Sequence, residues 1–595
     1  MELKFPQQYI IAARLTDPMA RVQVDFDQAV DWCDVLQVLI KNKVPLSSLN
    51  NDPRLEDCPL VLNVAFKEAL QAEILMRKGL HDKYGELREA LLKKGIQSIL
   101  FKSSGLSPSF PYTSDNLDTL VRLEHVSLSR QALNALGYVE LRNVEEPQKW
   151  LFRKFRGGES ISAIHLHGVV GWGVPFLDDS ALWKRARASE DDPWVMIPAP
   201  EDALLITIAH ALYENKSFKL LDIARIRHCL RQENFDFSSV ERIARQRGWV
   251  DGLAFCLLLY SQLEVALYNE MRIPGAVLDW AHAIISANIW LSLALEKTLK
   301  REEVYFPFEV SFFLGKILYY RKILNDLQRN LAMRIYDVIS TLAWGVKLKL
   351  QIKGQRGMII AISGIDGAGK TAHCRSLLRA LETSDVKAHI YWSRFGSSTQ
   401  RNDIRRGTEE GNSSDIATSL ARRRQRLKKP LLRFSWLAIN LIRFIIGSTL
   451  HVRFRRWLGG VVICDRYIYD SMVEIQASLP NGSRWSTWAE WLLTLFCPHP
   501  DVAWLLDVPA ELSVRRQANE RGSAAACEEL AKQRSKLKAL ASRYGLRVLP
   551  TSSGLDETSS QLVRETLLKY YENYGTWVKA LMLSNPNQMN PEKGM

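Results

Sequence analysis

The sequence predicts an α/β protein in two parts: a C-terminal domain with a parallel sheet flanked by helices, and a mostly helical N-terminal α+β domain. Three observations predict this architecture. A glycine-rich stretch, GIDGAGKT at 364–371, lies between an apolar run and a segment of helical spacing. Four further apolar runs alternate with helical segments after it, which is typical of parallel sheets. Residues 1–300 instead show long stretches of helical apolar spacing.

The N-terminal part contains many predicted helices around a small group of strands. The predicted strands are 96–101, 117–121 and 160–166. The predicted helices are 26–41, 60–94, 123–136, 201–213, 219–232, 238–247 and 253–267.

Three regions are expected because a chain of 595 residues is too long for one core. Residues 1–300 form the first domain. Amphipathic segments predict a helical connector over 301–356, which ends in the polar stretch KGQRG. Residues 357–585 form the last domain. Its predicted strands are 358–363, 388–392, 461–464, 502–506 and 546–549.

Composition narrows the function classes without choosing one. The net charge of +14 suits nucleotides, nucleic acid or an acidic membrane surface. The eight cysteines form no CxxC pair and no zinc-type cluster, so we expect reduced, mostly buried thiols in a cytoplasmic protein. We expect no signal peptide, and no run reaches 18 uncharged apolar residues.

The stretch 364–371 fits G-x-x-x-x-G-K-[ST], the pattern of a phosphate-binding loop. Backbone N–H groups of such a loop close around phosphate oxygens at a helix N-terminus. Lys370 would reach the transferred phosphate and the Thr371 hydroxyl would hold Mg²⁺. We expect the loop to be exposed to solvent and ligand. The residues expected to bind ATP are Gly364, Asp366, Gly367, Ala368, Gly369, Lys370 and Thr371.

Residues 357–575 resemble the thymidylate kinase family. The resemblance is carried by GIDGAGKT, by VVICDRY at 461–467 and by PDVAWLLDVPAELSVRR at 500–516. It implies ATP- and Mg²⁺-dependent phosphoryl transfer to a nucleoside monophosphate, as in a dTMP kinase, or to a related small phosphate ester.

The same resemblance implies roles for single residues. Asp366 faces the substrate sugar, and Asp465 and Arg466 lie between the metal ion and the substrate phosphate. Asp465 and Thr371 are the expected metal ligands. The arginines expected to close over ATP and neutralise charge are Arg515, Arg516 and Arg521. Further expected substrate contacts are Arg394, Arg443 and Tyr467.

Several positions depart from the family pattern. Ser363 stands where Glu is usual, and only Arg394 remains of an Arg-Glu-Pro segment. Arg443 matches only with a one-residue gap. The segment that contacts the base is replaced by IYDSMVEI at 468–475. We therefore do not expect thymidine specificity.

Residues 25–290 resemble a family of uncharacterised nucleotidyltransferases, through LFKS at 100–103, SDNLDTLV at 114–121, LGY at 136–138 and IHLH at 164–167. The family pattern has three acids that share two metal ions. Here Asn116 and His165 occupy two of these positions and only Asp118 remains. We expect a lapsed catalytic centre used for binding or scaffolding. For His165 and His167 we favour structural hydrogen bonds over metal binding, because no third ligand is evident.

A basic run at 422–429 precedes an apolar stretch at 431–450. Together they suit an anionic membrane surface, so peripheral contact through 422–456 is one interpretation. An internal helix with a solvated basic lead-in is the interpretation we favour. We expect a small-molecule phosphate acceptor as partner and no nucleic acid. The oligomeric state is left open, with a dimer among the allowed states.

Three functions compete. The first is the kinase, the second is a nucleotidyltransferase acting through the N-terminal half, and the third is a non-catalytic nucleotide-binding scaffold. The intact set of Lys370, Thr371, Asp465 and Arg466 favours the first over the third. The loss of acids at positions 116 and 165 counts against the second.

Overall fold

The computed structural model describes residues 3–17, 30–50, 58–101, 116–141, 148–189, 193, 195–300, 304–349, 357–393, 395, 430–479, 484–516 and 524–582. The chain divides into two compact units. The first comprises residues 1–136, 142–152 and 162–349, and the second comprises 137–141, 153–161 and 350–595.

Helices form most of the first unit, as predicted. Its α-helices are Gln7–Thr16, Trp32–Lys41, Leu46–Asn50, Pro59–Leu62, Val64–Leu92, Val126–Ala135, Asp179–Arg185, Pro200–Ala209, Leu220–Leu230, Phe237–Gln246, Val250–Tyr268, Gly275–Ser286, Ile289–Leu299, Phe312–Asn325 and Leu331–Lys349. The described residues also include a short 3₁₀-helix, Leu123–His125, and a π-helical turn, His210–Asn215.

Two predicted helices have different boundaries because polar side chains cap them. The helix predicted at 26–41 begins at Trp32, where the Asp31 carboxylate accepts a hydrogen bond from the N–H of Cys33. Its predicted start, 26–29, lies outside the described residues. The helix predicted at 60–94 is broken at Asn63, whose side chain caps Val64–Leu92.

The strands before residue 350 are more numerous than predicted, and most of them are short. They are β1 Ile99–Leu100, β2 Asn116–Leu120, β3 Val139–Leu141, β4 Lys149–Arg156, β5 Glu159–His167, β6 Gly171–Trp172, β7 Val174–Pro175, β8 Arg187–Ala188, β9 Met196–Ile197, β10 Ser217–Phe218 and β11 Phe308–Glu309. In the main sheet of the first unit, five strands lie in the order β5-β2-β1-β9-β8. Strands β5 and β2 are parallel, and β2 and β1 are antiparallel.

The second unit is built on the parallel sheet that the sequence predicts. Its strands are β12 Ile359–Gly364, β13 Ala388–Trp392, β14 Val461–Asp465, β15 Val502–Asp507 and β16 Arg547–Pro550. They lie in the order β13-β14-β12-β15-β16, and every neighbouring pair is parallel. The central strand β12 is buried along its whole length, which explains its continuous apolar sequence. The predicted α/β fold class is confirmed.

The helices of the second unit alternate with these strands. They are Lys370–Thr383, Pro430–Gly447, Phe454–Trp457, Ile468–Ser478, Arg484–Phe496, Ala510–Arg516, Ala524–Tyr544 and Leu555–Met582. A π-helical turn, Ser448–Arg453, joins the second and third. All eight cysteines of the chain are free thiols, and six of them are buried.

By length and composition alone, two described helical stretches could cross a membrane, and a bent helix pair could add a third. The helix Val250–Tyr268 is a core helix, because 72% of its apolar window is buried inside the protein. For Phe434–Trp457 the buried share is only 33%, and Trp457 is 78% exposed. Contact of 422–456 with a membrane stays a prediction, and the basic run lies outside the described residues.

Candidate active site

The glycine-rich loop connects the end of β12 to the first turn of the helix Lys370–Thr383. Gly367 and Gly369 have φ values of +80° and +84°, a region that side-chain-bearing residues rarely adopt. A Cβ atom added at Gly364 would lie 2.9 Å from the carbonyl oxygen of Leu506 on the next strand. These glycines therefore allow a tight backbone turn in front of the helix N-terminus.

Lys370 is held inside this turn. Its ammonium group donates hydrogen bonds of 2.8 Å to the carbonyl oxygens of Gly364 and Ile365. It also lies 3.6 Å from the Asp366 carboxylate. The side chain is buried, with 6% of the residue exposed, so the expectation of an exposed loop is wrong for this residue. The two carbonyl groups orient the ammonium and supply it with partners within the loop.

The two expected metal ligands lie together. The Thr371 hydroxyl donates a 2.7 Å hydrogen bond to Asp465 Oδ2. Ile362 of β12 is in register with Asp465 of β14, so the parallel pairing brings the carboxylate to the loop. Burial raises the pKa of Asp465, and the Thr371 hydrogen bond opposes that shift.

A metal ion fits this pair of side chains. Asp465 is 1% exposed, and its Oδ1 atom has no hydrogen-bond partner among the described residues. A buried carboxylate oxygen without a partner is costly unless a ligand satisfies it. Hydroxyl and carboxylate oxygens are the donors that Mg²⁺ prefers.

The expected acceptor residues form an ion pair across the mouth of the loop. The Arg466 guanidinium donates to the Asp366 carboxylate. Arg466 has a φ of +69°, and its backbone N–H donates to Ile362 O at 3.2 Å. Ser513 donates its hydroxyl to the backbone oxygen of Asp366, which fixes the loop from the other side.

Comparison with known proteins gives matches of two kinds. Residues 28–263 match the family model described as uncharacterised nucleotidyltransferase. A probable thymidylate kinase of Saccharolobus solfataricus is 28% identical over 214 residues, which cover 35% of this chain and 95% of the relative. One from Pyrococcus abyssi is 26% identical over 195 residues, covering 31% and 80%. A thymidylate kinase of Xylella fastidiosa is 34% identical over 172 residues, covering 28% and 68%.

The chain belongs to the thymidylate kinase family. The relatives support a kinase activity for this family member, and the resemblances stated from the motifs of both halves are confirmed. The identity of the phosphate acceptor belongs to the proposal below.

The arginines expected to close over ATP in this thymidylate kinase family member are described only in part. Arg515 and Arg516 are exposed at the end of the helix Ala510–Arg516. Arg516 donates to the carbonyl oxygen of Thr551 at 2.5 Å. Arg521 lies outside the described residues. The catalytic roles of these arginines stay predictions.

Three expected substrate contacts have different outcomes. Arg394 lies outside the described residues, and Arg443 is exposed on the helix Pro430–Gly447. Tyr467 is fully buried, and its hydroxyl donates a 2.9 Å hydrogen bond to Pro498 O. The structure therefore gives Tyr467 a packing contact, and its role in substrate binding stays a prediction.

Sequence reasoning missed two side chains that support the loop. Asp470 accepts long hydrogen bonds of 3.4 Å from the N–H groups of Gly364 and Tyr467. His373 Nδ1 lies 2.8 Å from Gly369 O, and its Nε2 lies 3.0 Å from the Thr558 hydroxyl. The position of Asp470 three residues after Tyr467 is a capping-box spacing, which was the available signal. Nothing in the local sequence predicts the contact of His373 with Thr558, 185 residues away.

Arg534 was also missed, although it holds the end of β15. It donates hydrogen bonds of 2.6 Å and 3.0 Å to the two carboxylate oxygens of Asp507. Lys538 adds an ion pair at 2.9 Å. The hydrogen bond from Arg534 lowers the pKa of Asp507, with Lys538 acting in the same direction. The carboxylate at this strand end is therefore ionised and paired with two basic side chains.

Proposed function

We propose that the second unit transfers a phosphoryl group from ATP, with Mg²⁺, to a nucleoside monophosphate or a related small phosphate ester. The observation that carries the proposal is the meeting of Lys370, Thr371 and Asp465 at one edge of the parallel sheet. Thymidylate kinases are among the relatives, which supports the same reaction class.

Each of these side chains has a task that its contacts support. The glycine turn presents backbone N–H groups at the helix N-terminus, where phosphate oxygens bind. Thr371 and Asp465 would hold Mg²⁺, which neutralises phosphate charge when bound. The Lys370 ammonium, 2.8 Å from two loop carbonyls, is oriented beside the Asp366 carboxylate and supplies a fixed positive charge.

The acceptor side rests on Arg466 and Asp366. A guanidinium binds a phosphate through two N–H groups, and it keeps its charge at every physiological pH. The contact with Asp366 sets the direction of the Arg466 side chain before an acceptor arrives. The eight free thiols fit a reducing compartment, and we place the reaction in the cytoplasm.

Replacing Lys370 tests the proposal. We expect Lys370→Met and Lys370→Ala to lower ATP turnover by at least about 100-fold, because a fixed charge beside the transferred phosphate is lost. The methionine variant keeps most of the buried stem, so it separates loss of charge from loss of packing. Glu382→Ala, exposed near the end of the same helix, is the matched control and should retain full turnover.

Turnover should be measured with a mixture of nucleoside monophosphates as acceptors, together with the thermal midpoint of each variant. A Lys370→Met protein that is folded and as active as the wild type would contradict the kinase assignment. ATP binding without turnover in the wild type would favour the scaffold instead.

A further inference from the structure

The first unit contains a cluster of one carboxylate and two imidazoles. Asp118 lies on β2, and His165 and His167 lie on β5. These strands are parallel, and their register pairs Asp118 with His165 and Leu120 with His167. Because alternate residues of a strand point to the same face of a sheet, the three side chains leave one face together.

The distances within this cluster suit a shared ion. Asp118 Oδ1 lies 3.0 Å from His167 Nε2 and 3.4 Å from His165 Nδ1. The three ligand atoms all lie within 4.8 Å of one another. Ligand atoms bound tetrahedrally to Zn²⁺ at 2.0–2.1 Å are roughly 3.3 Å apart. Only small side-chain movements would therefore bring all three onto one ion.

The cluster is buried except on the side of His165. Asp118 is 6% exposed and His167 is 2% exposed, whereas the side chain of His165 is 23% exposed. The ring of Phe101 packs edge-on against His167, with ring centroids 4.7 Å apart. The amide nitrogen of Asn116 lies 2.7 Å from His165 Nδ1, a hydrogen bond that a metal ion at this nitrogen would replace.

We propose that Asp118, His165 and His167 bind one divalent transition-metal ion of the Zn²⁺ class. Imidazole nitrogens favour Zn²⁺, Co²⁺ and Fe²⁺, whereas Mg²⁺ requires oxygen ligands in a near-octahedral arrangement. The two-magnesium arrangement of the resembling nucleotidyltransferases does not fit here, because the described residues of the cluster include only one carboxylate. Three protein ligands leave a fourth position for water or another ligand.

The sequence analysis favoured structural hydrogen bonds for His165 and His167 because no third ligand was evident, and that premise is wrong. The two histidines alone do not make a metal site, and the sequence showed no third ligand near them. The third ligand is Asp118, separated from His167 by 49 residues in the chain and brought to it by the parallel register of β2 and β5.

Metal titration of the full chain tests this site. The protein is stripped with a chelator, transferred to a buffer that is free of transition metals and contains excess Mg²⁺, and titrated with Zn²⁺ and, separately, with Co²⁺. We expect one Zn²⁺ per chain, a higher thermal midpoint in its presence and visible absorption from bound Co²⁺. The excess of Mg²⁺ occupies sites that bind any divalent cation, so Zn²⁺ bound in its presence is bound selectively.

Three variants assign the ligands. We expect His165→Gln, His167→Gln and Asp118→Asn each to weaken Zn²⁺ binding by at least about 100-fold, since changes to mere supporting residues already cost 10- to 100-fold. His165→Gln is the most informative, because its side chain is partly exposed and the change should spare the fold. His282→Gln, exposed on the helix Gly275–Ser286, should bind Zn²⁺ as the wild type does.

Two results would overturn the proposal. One is a folded wild-type chain that takes up no Zn²⁺ in excess Mg²⁺, which would leave Asp118 and His167 as a structural hydrogen-bonded pair. The other is uptake that stays unchanged in both His165→Gln and His167→Gln, which would place the ion elsewhere.

Discussion

Asp465 has a carboxylate whose position in the folded chain is unfavourable for stability. Its carboxylate is almost completely buried, and one of its oxygens has no hydrogen-bond partner among the described residues. Burying a negative charge in this way costs stability. Such a cost is typical of residues retained for function.

We expect Asp465→Asn to lower ATP turnover by about 100-fold or more, because the amide has no charge to hold a cation. In the absence of nucleotide and Mg²⁺, the variant should be at least as thermally stable as the wild type. The amide oxygen can still accept the hydrogen bond from Thr371, and no charge remains buried. ATP turnover over a Mg²⁺ titration and the thermal midpoint without ligands measure the two effects.

Asp501→Asn is the matched control. Asp501 immediately precedes β15, so it lies at the amino ends of the parallel strands, whereas Asp465 lies at their carboxyl ends. Asp501 accepts a hydrogen bond from the N–H of Ile359 and pairs with Arg456. Its replacement should affect stability rather than turnover. Full turnover in a folded Asp465→Asn protein would remove Asp465 from the metal site.

Two adjacent acids at the start of the helix Asp179–Arg185 have pKa values that are shifted in opposite directions. Burial raises the pKa of Asp179 to about 6, although the N–H of Val170 donates to its carboxylate. For Asp178, burial has the same direction, but hydrogen bonds from Ser180 and Ala181 outweigh it and lower the pKa. Asp178 caps the helix, as a residue at this position should.

These shifts predict a pH-dependent effect of Asp179→Asn. Below about pH 4, Asp179 is protonated in both the folded and the unfolded chain. As the pH rises to about 6, the unfolded chain loses the proton first, so the wild type loses stability that the variant keeps. Above about pH 6 the variant should be more stable by at most about 3 kcal/mol, and by less where solvent reaches the side chain. Its amide oxygen still accepts from Val170.

The thermal midpoints of both proteins near pH 4.5 and near pH 7.5 provide the measurement, and the gap should be larger at the higher value. Asp178→Asn is the neighbouring control, and its gap should have the opposite sign, because an acid with a lowered pKa stabilises the fold when ionised. An equal gap at both pH values would show that Asp179 acts through packing.

Most elements of the second unit could be predicted from sequence, and fewer of the first. The strands β12, β14 and β15 are mostly buried and apolar, so each is visible as a nearly continuous apolar run. Strand β4, with the sequence KWLFRKFR, has charged residues between its apolar ones and was not predicted. The pairing of Thr371 with Asp465 was expected from the phosphate-loop motif and the resemblance to the family. The cluster around Asp118 was not, because it depends on a register that only the folded sheet sets.

At the scale of the whole molecule, charge and composition constrain the substrate only broadly. The net charge of +14 favours anionic ligands of every kind. Two features of the second unit restrict the range of expected acceptors more closely. Arg466 and Asp366 are paired with each other. The segment IYDSMVEI at 468–475 replaces the one that contacts the base in the family that the sequence resembles.

We expect the site to have low specificity for the base of the acceptor. A site built to hydrogen-bond a particular group rejects analogues by about 10⁴-fold or more, whereas apolar contacts discriminate only about 10- to 200-fold. Thymidine monophosphate should therefore fall within about 100-fold of the other monophosphates in kcat/KM. Arg466→Ala should raise the KM for every acceptor more than the KM for ATP, because our proposal assigns the guanidinium to the acceptor phosphate. Arg466→Lys should be intermediate, since it keeps the charge but loses the two-pronged contact.

The measurement is kcat/KM for thymidine, uridine, cytidine and guanosine monophosphates, side by side, for the wild type and both Arg466 variants. Because Arg466 is paired with Asp366, Asp366→Asn should be included to separate loss of the arginine from release of its partner. A preference for thymidine monophosphate above roughly a thousandfold exceeds what apolar contacts provide. That result would mean that hydrogen bonds read the base despite the changed segment, and that the acceptor is the one named in the relatives.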